Sequence, residues 1–527
     1  MDIRYANLDT LKSFARLKGL ARPGHLKDLV AGRCVGECAL PAGSGLVYNY
    51  AAKSFTPEVL AALEELATEA QLVSKYWALL DGQIMNTGEK RMVLHHLARG
   101  QLGKDVVHEG KNLRAFYREQ AEKIGGFAGK VHAGEIRGST GKAFDTVVQI
   151  GIGGSDLGPR ALYIALENYC AGEGLAQKMR ARFISNVDPD DASGVLAGVD
   201  PETTLFIIVS KSGTTQETLT NEAFVTRRLQ AVPGLVPGKH IIAVTSETSP
   251  LAKSSSYLAA FFIDDFIGGR YSATSAVGAA VLALAFGFPV VEELLAGAAQ
   301  ADRLSLEPSV MKNAALLDAL LGVYERNVLG CPATAVLPYS QALSRFPAHL
   351  QQLDMESNGK HVSRGGSPLG YATGPLVFGE PGTNGQHSFY QLLHQGTDII
   401  PLQFVGFHES QRKDDLDFEG SSSQKKLNAN LAAQIIAFAK GKGNANPNKS
   451  FAGNRPSSLL WAKRLTPAVL GSLLAHFENK VMFQGFAWNI NSFDQEGVQL
   501  GKILASDLLK GSPGDKDLSA YAEILGV

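Results

Sequence analysis

The run Phe144-Asp145-Thr146-Val147-Val148-Gln149-Ile150-Gly151-Ile152-Gly153-Gly154-Ser155-Asp156-Leu157-Gly158-Pro159 decides the fold class. Its first seven residues read as a buried strand. A glycine-rich loop follows, and Pro159 opens a helix, where its missing N–H is not needed. The same order recurs downstream. Ala181-Arg182-Phe183-Ile184-Ser185-Asn186-Val187 is a second strand, and Thr204-Leu205-Phe206-Ile207-Ile208-Val209 a third, leading into a loop and a helix. His240-Ile241-Ile242-Ala243-Val244-Thr245 and Ala260-Phe261-Phe262-Ile263 are two more. Strands alternating with helices predict an α/β protein with a mainly parallel sheet flanked by helices on both faces. A second, weaker unit is visible in the apolar segments 333–338, 376–379 and 398–405, the last interrupted by Pro401. The first 120 residues read as mainly helical, with a helix over 57–80 capped by Thr56 and a polar turn at 87–91 before another helical run. Residues 447–457 read as a loop, and helices return after Thr466.

The chain has 527 residues, 45% hydrophobic and 19% charged. That is enough for more than one core, since single cores stop growing at roughly 250–300 residues. A net charge of −1 supplies no overall field to recruit nucleic acid or an anionic membrane, so an anionic ligand must be held by a local cluster. Cys34, Cys38, Cys170 and Cys331 are too few and scattered for a disulfide framework, and Cys34 and Cys38 have no second Cys/His pair near them for a metal. Reduced thiols and a cytoplasmic location are expected. Met1-Asp2-Ile3-Arg4 does not read as a secretory leader. The apolar run 273–291 holds Thr274, Ser275, Gly278, Gly287 and Pro289 and reads as a close-packed core helix rather than a membrane span.

Two strand–loop–helix junctions suit an oxyanion. The first is the 151–158 loop. The second is Ser210-Lys211-Ser212-Gly213-Thr214-Thr215-Gln216-Glu217-Thr218, where five hydroxyls, a lysine and free backbone N–H groups meet at a helix start. Neither is a nucleotide motif: the first would need glycine at Asp156, and the second lacks Gly-Lys-Ser/Thr. Ordinary turn chemistry accounts for the first loop about as well. Both leave the carboxyl ends of strands, where open α/β sheets bind ligands, and a phosphate monoester fits better than a dinucleotide.

Farther on, Asp354-Met355-Glu356-Ser357-Asn358-Gly359-Lys360 sets Glu356 among small polar residues, and Gly379-Glu380-Pro381-Gly382-Thr383-Asn384-Gly385-Gln386-His387 places a histidine in a second glycine-rich segment. A lone carboxylate and a histidine on separate loops suit proton transfer to and from carbon or hydroxyl. Together with Gly268-Gly269-Arg270-Tyr271-Ser272 and Ser492-Phe493-Asp494-Gln495-Glu496-Gly497-Val498-Gln499-Leu500-Gly501-Lys502, six motifs stand in the order expected of one family. Over roughly residues 80–505 the chain is similar to the phosphoglucose isomerase (glucose-6-phosphate isomerase) family.

That resemblance implies two sugar-isomerase-type domains with added N- and C-terminal helices: 1–122 as a helical part of the large domain, 123–290 as the small domain, 291–510 as the large domain and 511–527 as a tail. It implies reversible conversion of glucose 6-phosphate and fructose 6-phosphate through ring opening and a cis-enediol, serving glycolysis and gluconeogenesis, with no metal or organic cofactor. Ser210, Lys211, Ser212 and Thr215, with Thr218 behind them, match the phosphate loop; Gly154 and Ser155 match a loop touching the sugar and phosphate side. Arg270 matches the arginine beside the reacting carbons and Glu356 the catalytic base. His387 and Lys502 match the ring-opening residues, and Gln352 and Gln495 match further polar contacts. Family members are homodimers, with the histidine entering the partner's site. Three places depart from the pattern: Gln499 where glutamate is common, Thr274 where tryptophan is common, and 420–427 where a histidine pair is often found.

The chemistry fits these residue types. One carboxylate can take a proton from C2 and return it to C1, a permanently charged arginine can oppose the enediolate, and a histidine can exchange protons near neutral pH. Two other readings are a non-catalytic sugar-phosphate sensor, which needs the 210–218 loop but not Glu356, His387 and Lys502 together, and a metal-dependent aldose isomerase, which needs clustered ligands. The twelve histidines are dispersed, and the adjacent His95 and His96 would point about 100° apart on a helix.

Overall fold

Two sheets organise the chain, and the order of their strands places the site. The computed structural model describes residues 3–175, 177–254, 256–511 and 514–527. Met1 and Asp2 of the segment read for a leader, and Ser512 and Pro513 of the tail, lie outside the described residues. A hairpin of β1 (Ala39–Gly43) and β2 (Leu46–Asn49) comes first. Then β3 (Thr146–Ile150), β4 (Arg180–Ile184), β5 (Thr204–Val209), β6 (Ile241–Ser246) and β7 (Ala259–Ile263) form a wholly parallel sheet in the order β4-β3-β5-β6-β7. Finally β8 (Ala333–Pro338), β9 (Leu376–Phe378), β10 (Leu402–Phe407) and β11 (Ser457–Ala462) join the hairpin in a six-stranded sheet, β1-β2-β11-β10-β8-β9. Its last four strands are parallel, and β2 pairs antiparallel with β11.

The parallel sheet is covered on both sides, as its near-continuous apolar strands require. Val147, Leu205, Ile207, Val209, Ile242 and Val244 face Leu162, Tyr163 and the helix Ala276–Phe286. Val148, Ile150, Phe206 and Ile208 face Ala192, Leu196, Val225 and Leu229 of the helices Pro189–Ala197 and Gln216–Gln230. Every residue of Ala276–Phe286 is buried. A helix apolar all round belongs inside a protein, and each buried Val or Leu there contributes about 1.5–3 kcal/mol. The second sheet packs Leu337, Leu402 and Phe404 against the helix Ser423–Lys440, and Val336, Val405 and Leu460 against Pro467–Ala487.

Several local expectations change. The helix after β3 spans Leu157–Gly172, so it begins two residues before Pro159. The first four N–H groups of a helix have no intrahelical partner, so proline is tolerated at its third position as well as its first. The 57–80 helix is two, Pro57–Glu69 and Leu72–Leu80, separated where Gln71 takes φ 53°; Thr56 caps the first as read, accepting from Val59 N. The 273–291 run likewise breaks at Gly287 (φ 94°), between Ala276–Phe286 and Phe288–Leu304. The N-terminal 120 residues include the β1–β2 hairpin beside their helices. His95 and His96 lie on a 3-10 turn, His95–Ala98, both buried, with rings 6.2 Å apart. Among the described residues no group of three or more His, Cys, Asp or Glu side chains is arranged to hold a metal ion, and no helix is long and apolar enough to cross a membrane.

Candidate active site

In the order β4-β3-β5-β6-β7 the connections change direction between β3 and β5, which opens a crevice beyond their carboxyl ends. The two loops singled out in the sequence leave these two strands. After β3, a 3-10 turn over Gly153–Ser155 runs against the segment bearing Arg270. A Cβ on Gly154 would lie 2.2 Å from the carbonyl of Gly269, so the two backbones touch and only glycine fits. A Cβ on Gly153 would lie 3.2 Å from Gln352 Nε2, which brings Gln352 to the same loop.

After β5, hydroxyls knit the 210–215 loop. Ser210 Oγ and Thr215 Oγ1 are 3.0 Å apart, Gly213 N donates to Ser210 Oγ at 3.1 Å, and Thr214 N donates to Ser212 Oγ at 3.2 Å. Thr245 Oγ1 donates to the Ser210 carbonyl at 2.7 Å and pins the loop to β6. The helix Gln216–Gln230 starts here with Thr215 as its N-cap, whose side chain does not bond the first N–H groups. Those donors and the helix dipole suit an anion. Thr218, in the first turn, is buried with its hydroxyl unpaired. Lys211 Nζ lies 3.7 Å from Asp265 Oδ1 and 3.5 Å from the Ile267 carbonyl. Burial pushes the Lys211 ammonium below its usual range, and Asp265 opposes that shift. For an anionic substrate held on this loop, Ser212→Ala with Thr215→Ala is expected to raise KM about tenfold or more with a smaller change in kcat, read from initial rates; an unchanged KM would place the anion elsewhere.

Arg270 sits on the 3-10 segment Gly269–Thr274, with 1% of its surface exposed. Its Nε donates to Ser357 Oγ at 2.7 Å, Nη1 to Gln495 Oε1 at 3.2 Å, and Nη2 to the carbonyls of Ser492 at 2.6 Å and Asp494 at 2.9 Å. Glu356 Oε1 is 3.4 Å from Nη1. Glu356 ends a widened π-type turn, Gln352–Glu356, that extends the helix Phe346–Gln351. Such turns recur at functional sites because the extra residue re-aims a side chain. Two residues back, Asp354 is buried and its carboxyl is pushed up to about 6, while Asn358 Nδ2 donates to it at 3.2 Å. Tyr271, whose hydroxyl is 3.2 Å from Ser357 Oγ, is pushed up to about 12 by burial.

Gln352, Glu356, Arg270 and Gln495 thus meet at the 153–155 loop, with Lys211 tied to the stretch leading to Arg270. Among the described residues, His387 and Lys502 are joined to none of them. His387 is exposed at the end of the turn Asn384–His387, although its neighbour Gln386 is fixed by Tyr339 OH at 2.8 Å. Lys502 is exposed on the helix Gln499–Leu509, and Gln499 at its start is exposed too. Thr274 is buried and accepts from Arg99 Nε at 3.0 Å. Ser357, Lys360 and Asp494, which hold Arg270 and the Glu356 turn, were not singled out. The signal was the polar density of the two motifs that contain them.

A family model described as phosphoglucose isomerase matches residues 49–523. The chain is 60% identical over 531 residues to a glucose-6-phosphate isomerase of Treponema denticola, covering 99% of this chain and 100% of that one. It is 49% identical over 525 residues to the enzyme of that name from Borreliella burgdorferi, covering 99% of each. The crystal structure of a glucose-6-phosphate isomerase from Chlamydia trachomatis superimposes with a TM-score of 0.92 at 42% identity, again covering 99% of both chains.

Proposed function

The chain belongs to the phosphoglucose isomerase family, and we propose that it interconverts glucose 6-phosphate and fructose 6-phosphate in the cytoplasm. The observation that carries this reading is the Glu356–Arg270 pair, 3.4 Å apart at the crevice that the phosphate-type loop borders. In this reading the phosphate sits on Ser210, Lys211, Ser212 and Thr215, with Thr218 behind. Gly154 and Ser155 line the sugar, and Gln352 and Gln495 contact its hydroxyls. Anchoring at the phosphate supplies remote binding energy that aligns C1 and C2 with Glu356.

The reaction opens on the closed ring. The C1 hydroxyl loses its proton, the bond from C1 to the ring oxygen breaks, and that oxygen is protonated; His387 and Lys502 exchange these protons. The Glu356 carboxylate then takes the C2 proton, giving a cis-enediolate whose negative O1 faces Arg270. A proton passes from O2 to O1, Glu356 returns its proton to C1, the C2–O2 double bond forms and the ketose results. The four hydrogen-bond acceptors of Arg270 are uncharged, and Glu356 is the carboxylate that faces its positive charge before substrate arrives. A coupled assay with both sugar phosphates, run in excess chelator, tests the activity: turnover at an ordinary enzymatic rate supports it, and absence of turnover removes it.

We further propose a homodimer in which His387 serves the partner's site. Its exposure supports this. So do the helices Gln499–Leu509 and Lys516–Leu525, which present Leu500, Ile503, Leu509, Ile524 and Leu525 to solvent at 57–77% exposure. Co-expressed His387→Ala and Glu356→Gln chains are expected to recover about a quarter of wild-type activity, because half of randomly paired dimers rebuild one intact site. If His387 acts within its own chain, the mixture stays as inactive as its parents.

A further inference from the structure

Lys360 and Asp494 have no part in the chemistry above, yet the base and the arginine both hang on them. The Lys360 ammonium donates to the Glu356 carbonyl at 3.0 Å, to the Asp494 carbonyl at 2.9 Å and to Asp494 Oδ1 at 2.7 Å. All three of its donors are used. The Lys360 backbone N–H bonds the Asn358 carbonyl rather than that of Glu356, so the side chain serves the orphaned carbonyl where the π-type turn ends. The Asp494 carbonyl oxygen also accepts from Arg270 Nη2 at 2.9 Å.

The other carboxylate oxygen is anchored independently. Asn491 Nδ2 donates to Asp494 Oδ2 at 2.6 Å and to Asn86 Oδ1 at 3.0 Å. Here the polar 87–91 turn finds its role in the fold. It packs so closely that a Cβ on Gly88 would lie 2.9 Å from Asp494 Oδ2. From Asn86 the contacts continue through Glu89 at 2.8 Å, Arg91 at 3.2 Å and Asp265 at 3.5 Å to Lys211 at 3.7 Å. Side chains in contact therefore run from the phosphate loop to the turn that carries Glu356.

We propose that Lys360 and Asp494 form a positioning clamp that sets the Glu356 turn and the Arg270 guanidinium against one shared carbonyl. The assignment rests on Glu356 and Arg270 acting as described above. The proposed reaction gives neither clamp residue a contact with substrate. A displacement of about 1 Å at the reacting groups can cost about 10²-fold in rate, and such a shift is what loss of the clamp permits.

The test is Lys360→Met and Asp494→Asn, singly and together, in the full chain. Lys360→Met is expected to lower kcat about 10²-fold with KM changed less than about threefold. Asp494→Asn, which keeps the shared carbonyl and the side-chain size, is expected to lower kcat about tenfold. The double variant should be no slower than Lys360→Met, since the two act as a unit. In D2O, the variants should place more solvent deuterium on the product than wild type does, because a misplaced carboxylate holds the transferred hydrogen longer; a purely structural role leaves that fraction unchanged. Wild-type kcat in Lys360→Met, independent losses that multiply in the double variant, or unchanged deuterium content would each overturn the clamp. If Lys360→Met does not fold, Asp494→Asn carries the test, and wild-type kcat there is the overturning result. These outcomes are separable from failure of the functional reading itself, which an inactive wild type or a fully active Glu356→Gln would signal.

Discussion

Glu356→Gln is expected to lower kcat by about 10³-fold or more while fructose 6-phosphate still binds. The amide is nearly isosteric and its oxygen can stay beside Arg270 Nη1, so the turn Gln352–Glu356 has no steric reason to move. What is lost is the ability to accept a proton from carbon. Positioned general-base catalysis is typically worth about 10²–10⁴-fold, and in the proposed reaction one group serves both carbons, so no second base replaces it. The 210–215 loop, proposed to hold the phosphate, lies on another element and keeps its hydroxyl network. Initial rates beside a calorimetric titration with fructose 6-phosphate separate the effects. Near-normal turnover would refute the role of Glu356, and loss of binding with little loss of kcat would make it a binding residue.

Arg270→Lys is expected to cost about 10²–10³-fold in kcat and to lower the melting temperature. A lysine keeps the charge facing Glu356 but cannot satisfy the four acceptors of the guanidinium: Ser357 Oγ, Gln495 Oε1 and the carbonyls of Ser492 and Asp494. Each buried acceptor left without a donor costs about 1–3 kcal/mol. In the proposed reaction the site also loses a charge fixed opposite the enediolate, so the rate should fall even where the protein remains folded. A melt and a kcat measurement on one preparation test this together. Wild-type kcat in a folded Arg270→Lys protein would remove the arginine from the mechanism.

Much of this was legible in the residues. The apolar strands 204–209 and 333–338 are found where read, because strands buried on both faces leave little room for another reading. Pro401 was the informative break in 398–405: the strand begins one residue after it, where every backbone N–H can pair. The β1–β2 hairpin was not found. Its strands are short, and its partner β11 lies at the far end of the chain, so no local pattern announces the pairing. At the site, hydroxyl density pointed to the 210–218 loop, and the motif order pointed to Glu356 and Arg270. The pairings behind them were not readable. Arg99 contacts Thr274, Asp302 and Glu478, residues far apart in sequence, and burial pushes the Glu478 carboxyl up to about 7 despite that arginine. The threonine where tryptophan was expected is thus a polar link to a buried charge cluster, which spacing alone cannot reveal.

The two sheets differ in when they can be completed. β3 to β7 fall in one continuous stretch, so that sheet can assemble on the ribosome as soon as its last strand emerges. The other cannot. Its first hairpin pairs Asn49 with Leu459, so nearly the whole polypeptide must be made before β2 meets its neighbour. During that interval Leu46 and Tyr48, fully enclosed in the finished protein, have no sheet to join. The first-made strands of this protein are therefore those that most need protection during synthesis, and closing them against β11 is the late, slow event that long-range pairing imposes.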